Sequence, residues 1–444
     1  MKPQDELPTE PTEILAQRTD TAKHIQLPDG QIEAQVHAVP IHYKDSSGAF
    51  QDVKTDLVAD TSPSEITQKV EEHELKVSLI DTFDQPTLYQ RDGYPDLSLT
   101  PIGGNSVKGE TIKNSTFYID AYFGVDVEQR VTLTGVKEYI TLKDASHPRK
   151  LEYAYDTTLI PQIVDNQVLF MQDGELVYRL TPLFEMKNDR FGNPEFQWII
   201  DEKQKTLYID LPEFSTYPVV IDPTVSPYAG SGDGWVRKSN SSSWATTVAQ
   251  GATGSSADYT GTSVTCQVYG DPSTILYCDR IFMVFDTSSV GSGSTVTAAT
   301  LNLKGTVKGN VTIVGDYNVY ESTITSDTTI VTSDFGSYNT TALATAIAHG
   351  SISASAYNTW TLNSTGRGLV NVTGYSKYCI RHSYDYNGTT PGVTGNYAYF
   401  SASSSEASGT SNDPYLSVTY TAGATFIAKP NQVINQTIKK ASTI

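Results

Sequence analysis

The chain has 444 residues, 38% of them hydrophobic, and includes 27 Tyr and 14 Phe. That composition supports folded cores rather than a disordered polymer, and the length predicts about two or three domains. The net charge is −19, and residues 1–225 carry −18 of it, with 20 Lys and Arg against 38 Asp and Glu. Phosphate contacts need a basic face, so we expect no nucleic-acid partner.

The first segment, residues 1–30, is polar and includes four prolines, so we predict an extended N-terminal arm. It begins MKPQDELPTEPTEILAQ, without the apolar segment of a signal peptide. No window of the sequence reaches the roughly 18 consecutive apolar residues of a membrane-spanning helix, so we expect no membrane insertion.

Residues 31–225 contain short runs that alternate apolar and polar residues, such as QIEAQVHAVPIHY, STFYIDAYFGVDV and KTLYIDL. Period-two alternation rich in Val, Ile, Tyr and Phe indicates β-strands. One segment, SPSEITQKVEEHELKVSLI, has Ser64 as a cap and early charges, and it predicts a short helix. We interpret residues 31–225 as an acidic, β-rich scaffold domain.

A boundary near residue 225 follows from FSTYPVVIDPTVSPYAGSGDGWV, where a strand-like run ends in Asp-Pro and a Gly/Ser-rich stretch begins. Residues 226–444 hold 11 Lys and Arg against 12 Asp and Glu. Residues 226–421 contain many short strands with frequent turn signals, which predicts a β-sandwich. The best helix candidate there is TTALATAIAHG, residues 340–350, which ends in a glycine. The fold class is therefore predicted to be all-β.

Residues 422–444, the C-terminal tail, contain three lysines and no acidic residue. Two interpretations stay open: a frayed terminus, or a docking arm with apolar anchors. The anchors of such a docking arm are Phe426, Ile427, Val433, Ile434 and Ile438.

The stretch YCIRHSYDYN, residues 378–387, contains the side chains of a nucleophile-and-base mechanism. On a strand, however, Cys379 and His382 point to opposite faces, whereas a Cys–His pair needs hydrogen-bond reach of about 3 Å. Cys379 is better read as a small buried hydrophobic side chain. Arg381 and Asp385 either brace the core or line a binding face, and we favour the core.

The three cysteines, Cys266, Cys278 and Cys379, include no C-x-x-C pair, so zinc and redox motifs lack support. We expect free, buried thiols, with a Cys278–Cys379 disulfide as the alternative. We expect no cofactor; a structural Ca²⁺ is the one open exception, because four aspartates fall near turns or strand ends. These aspartates are Asp271, Asp279, Asp286 and Asp385.

Aromatic side chains form a possible sugar-stacking platform, although rings in a β-protein also serve the core. The candidates are Trp235, Trp244, Trp360, the tyrosines Tyr384 and Tyr386 of YDYNGTT, and those of NYAYF. We predict no catalytic residue, because no G-x-S-x-G or H-E-x-x-H motif and no phosphate-cradling loop occurs in the sequence.

Three segments of the second half occur in an order that resembles a known family. They are CDRIFMVFDTSSVGSGSTVTAATLNLKG, WTLNSTGRGLVNVTGYSKYCIRHSYD and DPYLSVTY. Residues 230–421 resemble the non-catalytic jelly-roll module called DNRLRE or TGF-β-propeptide-like. The resemblance implies two antiparallel sheets, a carbohydrate-associated face in some relatives, and occurrence in bacterial wall-associated and phage structural proteins. The family's W-x-E-x-T segment is reduced to Glu-Ser-Thr in YNVYESTITSD.

The first half contains IHYKDSSGAFQDVKTDL, GVKEYITL and FSTYPVVIDPTV. These segments resemble the β-rich region that precedes such modules in bacterial surface proteins, which implies a scaffold. We therefore expect a non-enzymatic structural protein on a virion exterior, such as a phage capsid decoration, fibre or tail-associated protein. Its partners are expected to be other structural proteins and copies of itself. The alternative is a carbohydrate-binding, wall-associated or secreted surface protein that binds glycans.

Overall fold

The computed structural model describes residues 7–60, 67–187, 190–194, 196–228, 232–240, 243–271, 275–392, 395–407 and 410–423. Within these ranges the chain forms 36 strands, and its three α-helices have only four or five residues each. The prediction of an all-β fold is confirmed. None of the helices described is long or apolar enough to cross a membrane.

The strands of the first half of the chain are short and antiparallel. They are β1 (Thr12–Glu13), β2 (Ala22–Gln26), β3 (Ile32–His37), β4 (His42–Lys44), β5 (Phe50–Asp52), β6 (Val58–Asp60), β7 (Thr67–Val70), β8 (Lys76–Ile80), β9 (Thr87–Gln90), β10 (Leu97–Ile102), β11 (Glu110–Ile112), β12 (Ser115–Tyr122), β13 (Val125–Thr132), β14 (Gly135–Leu142), β15 (Lys150–Asp156), β16 (Ile160–Val164), β17 (Gln167–Gln172), β18 (Glu175–Leu180), β19 (Phe184–Lys187), β20 (Arg190–Pro194), β21 (Ile199–Asp201), β22 (Thr206–Asp210), β23 (Val219–Ile221) and β24 (Thr224–Ser226).

The second half contains longer strands and the three helices. They are β25 (Asp233–Asn240), α1 (Trp244–Thr247), β26 (Ser256–Asp258), β27 (Ser263–Asp271), β28 (Ile275–Asp286), β29 (Thr295–Val311), β30 (Asp316–Ser322), β31 (Tyr338–Ala342), β32 (Ile347–Ala348), β33 (Tyr357–Thr361), α2 (Ser364–Gly368), β34 (Tyr375–His382), α3 (Ser383–Tyr386), β35 (Asn396–Ser403) and β36 (Tyr415–Thr421). Single 3₁₀ turns span Leu15–Gln17, Ser288–Val290, Thr332–Gly336, His349–Ser351 and Thr410–Asn412.

Two large sheets build most of the first half, and β4 and β5 pair separately as a two-stranded sheet. One has the order β21-β22-β15-β10-β9-β8-β7-β6; the other has the order β11-β12-β13-β14-β24-β18-β17-β16, with β19, β20 and β23 attached. Alternating apolar side chains from both sheets, such as Leu99 and Leu151 from one and Val127 and Ile140 from the other, share one core. Burial of one face of each sheet explains the period-two pattern of the sequence.

The helix predicted from Ser64 is not formed in the part that the structure describes, which begins again at residue 67. β7 and β8 pair there as antiparallel strands, and Val70, Val77 and Leu79 alternate into the first-half core. Sheet pairing and burial therefore override the local capping signal.

The strands of the second half form one continuous sheet. This sheet bends over on itself into two layers, as in a β-sandwich. β29 links the layers, because its first part pairs with β36 and β33 and its second part pairs with β35. Ala34, Leu301 and Leu416 of one layer pack with Ile281 and Phe400 of the other in the inner core. A second apolar cluster covers the outer side of β28 and β34 and includes residues of α1.

The N-terminal strands belong to the second-half sheet. β3 pairs with β36 in the register Ile32↔Tyr420 to His37↔Tyr415, and β2 and β1 follow outward. The described part of residues 1–30 thus pairs into a sheet and is not the extended arm predicted from the sequence. The strands of the acidic scaffold begin after His37. The cause is the alternation of Ile32 and Val36 with polar residues, which buries one face of β3 in the inner core.

The helix predicted over residues 340–350 is also replaced by strands, because β31 and β32 both pair with β30. Leu343 is fully buried, and its backbone N–H donates to Val319 O at 2.9 Å. Leu343 is therefore buried by contact with this sheet edge and not by the face of a helix. The apolar anchors assigned to the tail, from Phe426 to Ile438, lie outside the described residues.

Candidate functional site

The stretch that looked catalytic in sequence contains a buried ion cluster, which we call the Arg–Asp centre: Arg280, Arg381 and Asp385. Arg280 donates Nε and Nη2 hydrogen bonds of 2.8 and 2.6 Å to the two carboxylate oxygens of Asp385. Arg381 donates two more, both of 2.9 Å. Asp385 lies on α3, one turn after the end of β34, and not on the strand itself. The centre lies in the core, as favoured from the sequence.

The two arginines of the Arg–Asp centre hold the Asp385 carboxylate in its ionised form. Burial raises the pKa of Asp385, but the two guanidinium groups lower it by more, so the pKa lies well below its usual range. Arg280 also donates to the backbone oxygens of Phe335 and Val248 at 2.6 and 2.9 Å. A carboxylate held ionised by four hydrogen bonds from arginine is a structural brace and not an acid or base for catalysis.

Cys379 and His382 do point to opposite faces of β34. Cys379 packs with Phe282 in the outer apolar cluster. The His382 ring instead meets the Tyr317 ring at 4.9 Å and accepts a hydrogen bond from Tyr384 N at 3.1 Å. Burial raises the pKa of Cys379 to about 12 and lowers the pKa of His382 to about 3. The thiol is therefore neither ionised nor beside a base.

All three cysteines are buried and free. The register of β28 with β34 places Phe282 opposite Cys379. Cys278 lies four residues away along β28, opposite Val268 of β27. The alternative of a Cys278–Cys379 disulfide does not form, because register and not sequence similarity sets which residues meet.

Two of the proposed ligand-stacking rings belong to the core. Trp360 is fully buried, and its indole N–H donates to Tyr317 O at 2.9 Å, which joins the two layers of the sandwich. Trp235 is 3% exposed and lies in the inner core. Stacking on a sugar needs an exposed ring face, so these two tryptophans serve packing.

Tyr384 and Tyr386 lie on α3 and are half-buried. The Tyr386 hydroxyl donates to Asp316, and its ring lies 5.6 Å from that of Tyr320. The Tyr384 backbone oxygen accepts from the indole N–H of Trp244 at 3.1 Å. Both residues hold α3 against neighbouring elements and do not form a shared open platform.

A different group of aromatic rings lies side by side on the sheet formed by β28, β27 and β35. We call it the tyrosine face: Tyr269, Tyr277, Tyr397 and Tyr399. Tyr269 lies opposite both Tyr277 and Tyr397 in the strand register. The Tyr269 and Tyr277 rings stack at 4.6 Å and 8°, and the Tyr397 and Tyr399 rings lie 5.9 Å apart. All four side chains are half-buried, so part of each faces solvent.

A charged pair borders the tyrosine face. Arg237 covers Tyr277 at 4.4 Å from the ring centroid and donates two hydrogen bonds of 2.7 Å to Asp279. Cross-strand neighbours of this kind stabilise a sheet and also combine an aromatic surface with fixed polar groups. The sequence indicated Tyr397 and Tyr399 through NYAYF, but it gave Tyr269 no weight. The sequence feature that could have indicated Tyr269 is the pair of tyrosines in CQVYGD and ILYCD. Only the strand register shows that these two tyrosines are neighbours.

The aspartates considered for a cation are engaged by the protein. Asp385 and Asp279 accept from arginines, and Asp286 accepts from Ser288 N at 3.0 Å. Across the described ranges, no group of three or more His, Cys, Asp or Glu residues has an arrangement that could hold a metal ion.

Comparisons with known proteins add little to this geometry. No family model matches the chain, and no curated protein matches it. Among solved structures, the chain is similar to the N-terminal domain of the Streptococcus gordonii adhesin Sgo0707, at 9% identity, over 93% of this chain and 87% of that chain, with a TM-score of 0.16. A likeness at this level carries no conclusion about function, which therefore rests on the contacts of this chain.

Proposed function

We propose that the protein is a non-enzymatic structural protein that is attached through one end and displays its β-sandwich from a surface. One observation carries the proposal: both described ends of the chain emerge at the same end of one layer. Thr12 pairs with Gln26, Gln26 with Ile32, and Ile32 with Tyr420, so these four positions form one row across β1, β2, β3 and β36. Attachment at that end leaves the rest of the sandwich projecting.

The charged and reactive groups of the second half support a structural role. The Arg–Asp centre uses its carboxylate fully, and burial raises the pKa of all three thiols. Buried polar groups that are fully engaged in this manner make a core rigid and favour a single packing arrangement; they are not available to react with a substrate.

The setting we favour is a virion exterior, with other structural proteins and copies of this chain as partners. The net charge of −18 on residues 1–225 suits an outward surface rather than one facing packaged nucleic acid. Electron microscopy of the source particle tests this setting directly. Density for the sandwich in a regular lattice supports the virion, whereas antibody labelling of a bacterial cell wall supports the surface-protein alternative.

Removal of residues 424–444 tests attachment through that end. We expect the truncated protein to keep its β-sheet circular dichroism and to lose incorporation into particles or retention at the cell surface. A control variant with all three tail lysines replaced by Gln separates apolar docking from charge. Normal incorporation of the truncated protein would contradict the docking arm. Attachment would then have to occur through the N-terminal end of the chain.

A second candidate function is glycan binding at the tyrosine face, because aromatic rings and a fixed charged pair lie together there. Tyr397→Ala and Tyr399→Ala are expected to lower binding on a glycan array at least about tenfold, the effect of losing one or more good stacking contacts. Tyr208→Ala, a half-buried tyrosine of the first half, is the matched control. Binding that persists unchanged in both face variants would exclude this site.

A further inference from the structure

The junction between the two halves contains a second buried ion pair, formed by Lys137 and Asp222. Both side chains are fully buried, and Lys137 Nζ lies 3.0 Å from Asp222 Oδ2. Lys137 Nζ also donates to the backbone oxygen of Thr260, which belongs to the second half. Nearby, Thr134 donates to Glu406 at 2.8 Å across the same junction.

The sheet holds Lys137 and Asp222 in place. β23 and β24 pair with β14 in one continuous register, Ile140↔Ile221 and Lys137↔Thr224, with Asp222 and Pro223 between them. Asp222 therefore lies diagonally across from Lys137 on the same face of the sheet. The Thr224 hydroxyl donates to Asp222 Oδ1 at 3.4 Å, so the carboxylate is held on its other side.

We propose that Lys137 and Asp222 are joined by an intramolecular amide bond, an isopeptide crosslink between the two side chains. The amine and the carboxyl group are held at contact distance in a site without solvent, which gives the effective concentration that amide formation needs. A dry site also favours the product, because the reaction replaces two buried charges, which are costly to desolvate, with one neutral hydrogen-bonding group.

The reaction balances without an oxidant or a co-reactant. The Lys137 nitrogen forms a bond to the Asp222 side-chain carbon, and one carbon–oxygen bond of the carboxyl group breaks. The ammonium gives up two protons, both of which leave with that oxygen as one water molecule. A cavity of about 10 Å³ between the halves, about the volume that one water molecule needs, is lined in part by Thr224, Thr260 and Glu406. Thr224 and Thr260 are the residues that contact Asp222 and Lys137.

Proton movement in the site needs a group that changes its protonation state near neutral pH. Burial lowers the pKa of Lys137, and Asp222 raises it by more, so the amine rests as the ammonium. Burial raises the pKa of Asp222, so the carboxylate can more easily take up the first of the two protons that the ammonium gives up. Burial also raises the pKa of Glu406 to about 7, and Lys137 is among the charges acting on it. Glu406 also lines the small cavity beside Thr224 and Thr260, so a water molecule there could carry protons between it and the pair.

Mass spectrometry of the denatured full-length protein tests the crosslink. We expect an intact mass lower than the sequence mass by one water molecule, and trypsin is expected to leave the chain uncut after Lys137. The digest should contain one branched peptide that joins the segments of Lys137 and Asp222. An intact mass equal to the sequence mass would overturn the proposal.

Matched variants assign the missing water. Lys137→Met should restore the full mass, whereas Lys143→Met, which removes the more exposed Lys143–Asp126 pair of 2.8 Å, should keep the deficit. A deficit that persists in Lys137→Met comes from dehydration elsewhere, such as a cyclised Asp-Gly step, and would also overturn the proposal. The mass of the unaltered protein already decides whether a crosslink is present, so the test does not depend on any variant that fails to fold.

The role of Glu406 is tested by the rate of water loss in freshly folded protein. Glu406→Gln is expected to slow the loss by about a hundredfold or more, the usual contribution of a general acid–base. Glu406→Asp should restore part of the rate, and the rate of the unaltered protein should vary with pH around 7. Equal rates in all three proteins would contradict a proton-transfer role while leaving the crosslink itself intact.

Discussion

The Arg–Asp centre and the Lys137–Asp222 pair are both fully buried, yet they differ in what their chemistry allows. In the first, two arginines donate four hydrogen bonds to one carboxylate. A guanidinium stays protonated and is a poor nucleophile, so the centre can only brace. In the second, the lysine makes a single contact of 3.0 Å with its carboxylate. An amine can lose its proton and react, so the same kind of burial permits bond formation.

This difference also explains where each cluster is used. The Arg–Asp centre fixes α3 against β28 and β34 inside one sandwich, where a saturated network selects a single packing. The lysine pair lies where the two halves meet, with Thr260 O of the second half on the same amine. A covalent bond at that position would lock β14 to the chain segment that leads directly into the second half.

The largest expected effect comes from removing the shared carboxylate of the Arg–Asp centre. Asp385→Ala leaves two buried guanidinium groups without their counter-ion and should lower the free energy of unfolding by about 3–5 kcal/mol or more. Urea denaturation followed by circular dichroism measures this loss. Asp286→Ala, which removes one surface turn contact, is the control; a similar loss in both variants would show that the centre is not special.

A smaller effect is expected at the junction, where compensation is possible. Asp222→Ala leaves the buried Lys137 ammonium with the Thr260 oxygen but without its counter-ion, and we expect a loss of about 3 kcal/mol. Lys137→Met with Asp222→Leu removes both charges and should recover the part of that loss that comes from the buried charge, as seen by thermal unfolding. If the double variant is no more stable than Asp222→Ala, the buried charge is not the cause.

A pH effect of intermediate size is expected from His382. Burial lowers the pKa of His382 to about 3 in the native state. In the unfolded chain the same histidine binds a proton near its usual pKa of about 6.5. Stability is therefore complete above pH 6.5 and is lost as the pH falls toward 3, by about 2 kcal/mol between pH 7 and pH 5. His382→Gln should reduce the slope of stability against pH by about one proton. An unchanged slope would assign the acid sensitivity to other groups, such as His24 or His37.

The smallest effect is expected for an exposed ion pair, which sets the baseline for both buried clusters. Lys76 and Asp92 lie 2.6 Å apart, with 30% and 69% of their side chains exposed. Lys76→Ala should change the free energy of unfolding by less than about 1 kcal/mol, because water screens the pair. Chemical denaturation at low and high salt checks this value. A larger loss would show that charge contacts in this acidic half matter even at the surface.

The sequence predicted the all-β class and the separation of Cys379 from His382, because both depend on the period of two along a strand. It placed Arg381 and Asp385 in the core, although Asp385 reaches Arg381 from a helical turn rather than along the strand. The two predicted helices were wrong in the parts described, because strand pairing decides structure where local propensity is weak. Alternation also could not show which sheet a strand would join.

What the sequence by itself determined is thus the pattern of buried and exposed positions, since each strand carries that pattern within its own residues. Only the tertiary structure decided which strands neighbour one another. It joined β3 to β36 across the whole length of the chain, aligned Tyr269 with Tyr277 and Tyr397, and set Lys137 against Asp222. The physical reason is that register and topology depend on contacts between distant residues, which no local pattern contains.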